Sequence, residues 1–261
     1  MTDGSLTTVD VRGFRTSVRM LGSGRPLLFL RGFDVGFNDD VFIAALQPDF
    51  KIIVPDHPSF GRSDLSDYGG SVSDLAWFYL DFLDALAIPT VHLLGASIGG
   101  WIAAEIALRT DHRIRTLTLL GPAGVRKKGV GFGDPFIKAP AAATAMMFAD
   151  PDRALTLHRA AERDEDIDLH LKNNYALAKI SWHPRFENPA LHRWLHRISV
   201  PTHILWGAED SVIPLGHSEL WCSQIPDVTF KSVEGAGHLL HLEHPDLVAR
   251  DVKSFLKAHA Q

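Results

Sequence analysis

The sequence has few of the features that mark secreted and membrane proteins. Cys222 is the single cysteine among 261 residues, so no intramolecular disulfide can form, as is usual in a reducing compartment. No apolar run approaches the ~18 residues of a membrane-spanning helix. Residues 1–10 are polar and lack the apolar segment of a signal peptide. We therefore expect a cytoplasmic protein that has no membrane partner.

An excess of positive charge is also missing. The formal net charge is −5, which gives no indication of a nucleic-acid partner. Hydrophobic residues make up 46% of the chain, as in globular proteins. The length suits one large domain with or without an insertion, and no pattern in the sequence sets the oligomeric state. We expect a globular protein whose partner is a small molecule.

Short apolar runs alternate with helical patterns along most of the chain. This alternation predicts an α/β fold with a doubly wound, mostly parallel sheet flanked by helices. One of the helices is predicted to begin at a Ser73 cap and to end at Leu86. Residues 9–21 are β-rich and predict one or two antiparallel edge strands. The predicted buried strands are residues 27–30, 50–54, 91–94 and 114–120, and two further strands are predicted at residues 202–206 and 228–233.

Strand signals vanish from residue 124 to residue 189. Helical patterns replace them at residues 139–148, 153–162 and 166–180. The sequence therefore predicts a core formed by residues 1–123 and 190–261, with a helical insertion at residues 124–189.

A G-x-S-x-G motif lies at residues 95–99, between a predicted strand and a predicted helix. In that context the turn is so tight that the central serine, Ser97, is presented above the edge of the sheet. The motif also occurs by chance in ordinary Gly-Ser turns, but the flanking strand and helix favour a nucleophilic serine.

A serine hydroxyl needs a base within hydrogen-bond reach, and the base needs an orienting carboxylate. His238 follows the last predicted strand, and Asp210 and Glu209 follow the strand before it. Parallel strands bring such loops to one edge of the sheet. The order Ser97, Asp210, His238 is the order expected for a Ser-Asp-His triad on this kind of sheet, and the residues alone leave Glu209 as an alternative acid.

His238, His241 and His244 have a spacing that could also suggest a metal site. No cluster of acidic residues or cysteines accompanies them, as zinc-site patterns require. We therefore predict no metal and no cofactor.

These motifs resemble the α/β-hydrolase superfamily, in its lid-bearing branch with a serine nucleophile. The resemblance implies Ser97 as nucleophile, His238 as general base and acid, and Asp210 rather than Glu209 as its orienter. It further implies an oxyanion hole from the backbone N–H groups of Phe33 and Ile98, with the insertion as a lid. The matching segments are residues 56–64, 95–99, 207–210 and 237–238, with Glu243 and Pro245 behind them.

The chain departs from the superfamily pattern after the strand at residues 27–30. Arg31 stands where the family usually has His, and Gly32 keeps the backbone turn possible. We expect Arg31 to pair with Asp34 or Asp56, because a buried arginine is normally paired. The alternative is a cation that faces the substrate pocket.

The serine nucleophile also limits the chemistry. Family members that need an aspartate nucleophile, the haloalkane dehalogenases and epoxide hydrolases, are excluded, whereas esterases and C–C bond hydrolases use serine. Residues 121–124 and 214–217 resemble segments of the ring-cleavage C–C hydrolases, but those usually have Trp after the catalytic His, where this chain has Leu239.

The predicted lid supplies apolar side chains for a substrate pocket. We expect a serine hydrolase that cleaves a small to medium, largely apolar carboxylic ester. The alternatives are a C–C bond hydrolase of vinylogous diketones and a non-catalytic ligand receptor. The candidate pocket residues are Arg31, Met146, Met147, Phe148, Trp182 and Leu239.

Overall fold

A computed structural model describes residues 6–32, 38–66, 70–152, 154 and 164–259 of the chain. It contains one eight-stranded sheet with the strand order β1-β2-β4-β3-β5-β6-β7-β8. All neighbouring strands from β4 to β8 pair in parallel. This sheet confirms the predicted fold class. The strands are β1 Leu6–Val11, β2 Phe14–Leu21, β3 Arg25–Leu30, β4 Phe50–Pro55, β5 Val91–Ala96, β6 Ile114–Leu120, β7 Thr202–Gly207 and β8 Val228–Val233.

The first two strands form an antiparallel hairpin at one edge of the sheet. β1 pairs with β2, and β2 pairs in turn with β4, also antiparallel. The β-rich stretch predicted as one or two edge strands is therefore two strands, of which only β1 lies at the edge.

Helices cover both faces of the sheet. The helix predicted to begin at Ser73 begins instead after Ser71, whose Oγ accepts the backbone N–H of Asp74 at 3.1 Å. Ser73 lies inside the first turn, where its Oγ accepts from Arg109 Nη2 at 2.7 Å. The helices are α1 Asp40–Leu46, α2 Val72–Ala85, α3 Ile98–Ala107, α4 Pro140–Ala145, α5 Asp164–Ser181, α6 Ser218–Gln224, α7 Leu240–Glu243 and α8 Pro245–Ala258.

The hydrophobic core lies on both sides of the sheet because successive strand residues point to opposite faces. In β3, Leu28 packs with the side chains of α2 and α3, whereas Leu27 packs with those of α1 and α8. Both leucines are fully buried. The apolar run at residues 27–30 does not alternate with polar residues because a helical layer covers each face of the sheet there.

Helices α4 and α5 are among the described elements between β6 and β7. Helix α4 is shorter than the pattern over residues 139–148 predicted, and the pattern over residues 153–162 lies almost wholly outside the described residues. Backbone hydrogen bonds close this segment where it leaves and rejoins the core. Gly124 N–H donates to Phe186 O at 3.1 Å, and Asn188 N–H donates to Gly124 O at 2.9 Å.

No helix in the described part of the chain combines the length and the apolar character that crossing a bilayer would need.

Candidate active site

Ser97 lies in a sharp turn between β5 and α3. Its backbone has φ 51° and ψ −119°, a conformation that non-glycine residues rarely adopt and that often marks functional sites. A Cβ at Gly95 would lie 2.4 Å from Gly99 O, so only glycine permits this approach. Ser97 N–H donates to Leu120 O at 2.9 Å, which fixes the turn on β6. The local sequence therefore presents the hydroxyl at the carboxyl edge of the sheet.

His238 lies within hydrogen-bond reach of both Ser97 and Asp210. Its Nε2 is 2.8 Å from Ser97 Oγ, and its Nδ1 is 2.8 Å from Asp210 Oδ2. A carboxylate only accepts hydrogen bonds, so in the neutral imidazole Nδ1 carries the proton. Nε2 is then left as an acceptor for the serine hydroxyl. Three residues separated widely in sequence are brought together in the predicted order.

Asp210 is held firmly and Glu209 is not. Asp210 Oδ1 accepts the backbone N–H groups of Val212 and Ile213 at 2.9 and 2.8 Å. Asp210 is buried, whereas Glu209 is exposed. The geometry therefore selects Asp210 as the partner of His238.

Glycine at position 121 leaves room for this pair. Gly121 has φ +48°, and a Cβ there would lie 3.4 Å from Asp210 Oδ2 and 3.6 Å from His238 Nδ1. A side chain at this position would therefore be strained and would extend towards the Asp210–His238 contact.

The loop that carries His238 is fixed by Glu243, which the sequence analysis noted only as part of the family pattern. Glu243 is 6% exposed. Its Oε2 accepts Gly237 N–H at 2.5 Å, and its Oε1 accepts Ala149 N–H at 2.8 Å. Leu239 N–H donates to Met147 O at 3.0 Å. One buried carboxylate thus ties the histidine loop to the segment that follows α4.

One of the two predicted oxyanion donors can be placed. Ile98 is the first residue of α3, so its backbone N–H has no intrahelical acceptor. It directly follows Ser97 at the positive end of the helix dipole. Phe33 lies outside the described residues. Gly32, which precedes it, comes so close to Ser97 that a Cβ there would lie 2.9 Å from the serine Cβ.

Arg31 forms an ion pair, as expected. Its Nη2 is 2.8 Å from Asp56 Oδ1, and its Nη1 is 4.0 Å from Asp39 Oδ2. Asp34, the other predicted partner, lies outside the described residues. The arginine side chain is 29% exposed and also borders a cavity of about 230 Å³ beside Gly32. The other residues that line this cavity are Leu6, Pro55, Asp56, His57, Phe60, Gly61, Arg62, Leu169 and Asn173.

The apolar pocket candidates fall into two groups. Met147, Phe148 and Leu239 are buried in the core, and Gly237 packs against the backbone of Phe148. Trp182 is 55% exposed and stacks under the guanidinium of Arg185, 4.0 Å above the ring centroid. Met146 is partly buried, with its Cε near Gly133.

The three closely spaced histidines do not converge. His241 is buried, with its ring centroid 5.5 Å from that of Phe42, and His244 Nε2 is 2.9 Å from Gly235 O. His238 belongs to the site already described. Over the described ranges, no group of three or more His, Cys, Asp or Glu side chains could hold a metal ion.

His217 was missed by the sequence analysis. It is fully buried and bridges the core to the segment after β6, because Nδ1 accepts Lys127 N–H at 2.9 Å and Nε2 donates to Gly131 O at 2.8 Å. Burial lowers the pKa of this histidine. The only sequence signal was its place in the segment at residues 214–217.

Comparison with known proteins identifies related sequences over most of the chain. A family model for the alpha/beta hydrolase fold matches residues 25–245. The chain is 26% identical to 2-hydroxy-6-oxo-6-phenylhexa-2,4-dienoate hydrolase of Burkholderia cepacia, over 98% of this chain and 96% of that protein. It is also 26% identical to the dihydrolipoyllysine-residue acetyltransferase component of the acetoin cleaving system of Cupriavidus necator, over 96% of this chain and 67% of that protein.

Solved structures show the same fold. The naproxen esterase of Bacillus subtilis superposes with a TM-score of 0.76 at 20% identity, covering 98% of this chain and 92% of that chain. These comparisons together confirm the prediction of a hydrolase enzyme, and they include both an esterase and a dienoate hydrolase.

Proposed function

This chain belongs to the α/β-hydrolase family, and we propose that it is a serine hydrolase that cleaves a small to medium, largely apolar carboxylic ester. The observation that carries the proposal is the unbroken hydrogen-bond chain from Ser97 through His238 to Asp210, with both links at 2.8 Å. A base oriented by a buried carboxylate is what a serine hydroxyl needs to become a nucleophile.

The proposed reaction proceeds through an acyl-enzyme. Ser97 Oγ attacks the ester carbonyl while His238 Nε2 takes its proton, and Asp210 stabilises the resulting imidazolium. The N–H groups of Ile98 and Phe33 receive the oxyanion. His238 returns the proton to the leaving alcohol. A water molecule, deprotonated by His238, then attacks the acyl-enzyme and releases the acid.

Residues 124–189 are proposed to act as the lid over this site, with 1–123 and 190–261 as the core. In support, the segment after α4 touches the histidine loop through Leu239 N–H and Met147 O. Met147, Phe148 and Leu239 would supply an apolar wall for the acyl chain, with Met146 beside them. Trp182 would line the pocket only if the lid brought it inward.

The nucleophile is tested by Ser97→Ala, which should reduce kcat/KM on an aryl ester by about 10⁴-fold or more. The variant should keep the wild-type circular dichroism and Tm, because only one partly buried oxygen is removed. A serine-directed phosphonate should label wild type at Ser97 and leave the variant unlabelled. Ser223→Ala, at an exposed serine on α6, is the matched control and should keep full activity. Ten per cent residual activity in Ser97→Ala would refute the assignment.

A second candidate is C–C bond hydrolysis of a vinylogous diketone, favoured by the similarity to the dienoate hydrolase of Burkholderia cepacia. Both reactions use the same triad, so turnover of esters alone does not separate them. We expect a higher kcat/KM on simple aryl esters than on a dienol keto acid. A preference of a hundredfold or more for the keto acid would make the C–C hydrolase the correct assignment.

A further inference from the structure

His57, in the loop after β4, contacts the backbone that leads past the catalytic serine. It is 5% exposed, and its ring centroid lies 5.7 Å from those of Phe60 and Tyr79. Its Nε2 is 3.0 Å from Arg31 O, and its Nδ1 is 2.5 Å from Tyr79 Oη. One imidazole thus joins the carboxyl ends of β3 and β4 to helix α2.

The two contacts of His57 fix where its proton lies. A backbone carbonyl only accepts hydrogen bonds, so Nε2 carries a hydrogen and donates it to Arg31 O. In the neutral ring Nδ1 is then an acceptor, and it receives the hydroxyl hydrogen of Tyr79. Burial raises the pKa of Tyr79 well above its usual range, with a further contribution from the negative charge of Asp56. The Tyr79 hydroxyl therefore keeps its proton and remains a donor.

The carbonyl that His57 holds lies directly against the serine turn. A Cβ at Gly99 would lie 2.4 Å from Arg31 O, and a Cβ at Gly32 would lie 2.9 Å from the Cβ of Ser97. The peptide between Arg31 and Gly32 is therefore confined between His57 on one side and the turn on the other. The same turn carries the N–H of Ile98, which directly follows Ser97 at the start of α3.

We propose that His57 is a positioning residue, which through Arg31 O holds the Arg31–Gly32 peptide against the Ser97 turn and so keeps Ser97 Oγ and the oxyanion donor Ile98 N–H in place for attack on a carbonyl. This inference rests on the proposed function, because an oxyanion forms only if Ser97 attacks a carbonyl. Tyr79 has a supporting role, since its hydroxyl keeps the hydrogen of His57 on Nε2. Arg31 is held at two points. Asp56 pairs with its side chain, and His57 binds its backbone carbonyl.

The first test compares His57→Phe with His57→Gln. Phenylalanine keeps the aromatic volume but lacks the N–H, whereas the glutamine amide can still donate to Arg31 O. Because an oxyanion donor is worth about 10²–10³ in kcat and a displacement of about 1 Å can cost about 10²-fold, we expect His57→Phe to lower kcat about 10- to 100-fold. KM should stay within about threefold. His57→Gln should recover at least half of the loss on a logarithmic scale.

A boronic acid inhibitor separates positioning from a merely structural role. Its tetrahedral adduct with Ser97 uses the oxyanion site. The planar carboxylic acid product forms no such adduct, so its binding does not depend on the oxyanion donors in the same way. The inhibition constant of the boronic acid should rise in parallel with the loss in kcat, while product inhibition stays unchanged. A parallel loss of product affinity would instead indicate general damage to the pocket and would overturn the proposal.

Two further variants complete the experiment: Tyr79→Phe, and His203→Phe as the control. Tyr79→Phe removes one buried oxygen and should lower kcat by about three- to tenfold, so it also carries the test if His57→Phe does not fold. His203 is the matched control, because it is equally buried and has two polar partners, Thr229 and Asp251, but lies near the start of β7. His203→Phe should lower Tm and leave kcat unchanged.

Two failures would be distinguishable. Wild-type kcat in folded His57→Phe and Tyr79→Phe, with turnover that depends on Ser97, would overturn the positioning role alone. Turnover that survives Ser97→Ala would overturn the proposed function, and the positioning role with it.

Discussion

Asp210 and Glu209 are neighbours in sequence with opposite surroundings, and this difference predicts opposite effects of mutation. Asp210 is buried and bonded to His238, whereas Glu209 is exposed. Asp210→Asn should lower kcat by about 10⁴-fold, because the amide favours the wrong tautomer of the histidine. Glu209→Gln should change kcat less than threefold. Steady-state kinetics on one aryl ester measures both, and the reverse order would make Glu209 the orienting acid.

A residue of the candidate site could be predicted from the sequence where it follows the end of a predicted strand. Ser97, Asp210 and His238 each follow a predicted strand, and parallel strands carry such residues to one edge. Glu243, His57 and Tyr79 could not be found in this way. Their roles depend on backbone groups of distant segments, such as Ala149 N–H and Arg31 O, and no spacing in the sequence encodes those contacts.

At the scale of one element, the start of α2 depends on which serine accepts the first free N–H groups. Ser71 Oγ accepts Asp74 N–H and also donates to Asp74 Oδ2 at 2.7 Å. Ser71→Ala should therefore lower the free energy of unfolding by about 1 kcal/mol. Ser73→Ala is the control and should change it by less than about 0.5 kcal/mol, because the hydrogen bond that it loses, from Arg109 to Ser73 Oγ, is exposed to solvent. Urea unfolding at neutral pH measures both, and equal losses would contradict the assignment of the cap.

The strands were predicted more accurately than the helices, for a physical reason. Strand β6 has the bounds predicted for it, since burial along nearly its whole length selects mostly apolar residues there. Strand β8 also has the predicted bounds, although most of its residues are not buried. Helix α2 was displaced by two residues at its start because Ser71 and Ser73 are equally good caps in sequence. Only the hydrogen bonds of the folded chain distinguish them.

At the scale of the whole molecule, His92 should make stability depend on pH. It is 1% exposed in β5, and its Nε2 has no hydrogen-bond partner among the described residues. Burial, reinforced by the positive charges of Arg115 and Arg25, lowers its pKa to about 4. The unfolded chain, with a histidine pKa near ~6.5, binds more protons between these two values. The stabilisation is therefore complete above about pH 6.5 and is lost as the pH falls towards 4.

The expected size of this effect follows from the difference between the two pKa values. Between pH 7.5 and pH 4.5 the free energy of unfolding should fall by about 2.5 kcal/mol through His92. His92→Asn keeps a polar group near Thr116 and should reduce the wild-type fall by that amount in urea unfolding. His203 and His217, whose pKa values are also lowered by burial, leave the variant with a smaller fall in the same direction. His112→Asn, at an exposed site, should match wild type, and an unchanged fall in His92→Asn would contradict the prediction.

The backbone hydrogen bonds that close the segment at Gly124 have a consequence for how the sequence between β6 and β7 can change. Gly124 N–H donates to Phe186 O and Asn188 N–H donates to Gly124 O, so the chain leaves and rejoins the core at one place. Closing so short a gap costs almost the same whether the excursion is long or brief, because loop entropy grows only slowly with length. The segment between Gly124 and Phe186 can thus change in length with little effect on the free energy of unfolding of the core. On the lid role proposed for this segment, grafting or resizing it should change the substrate range, while Ser97, Asp210 and His238 keep their positions at the edge of the sheet.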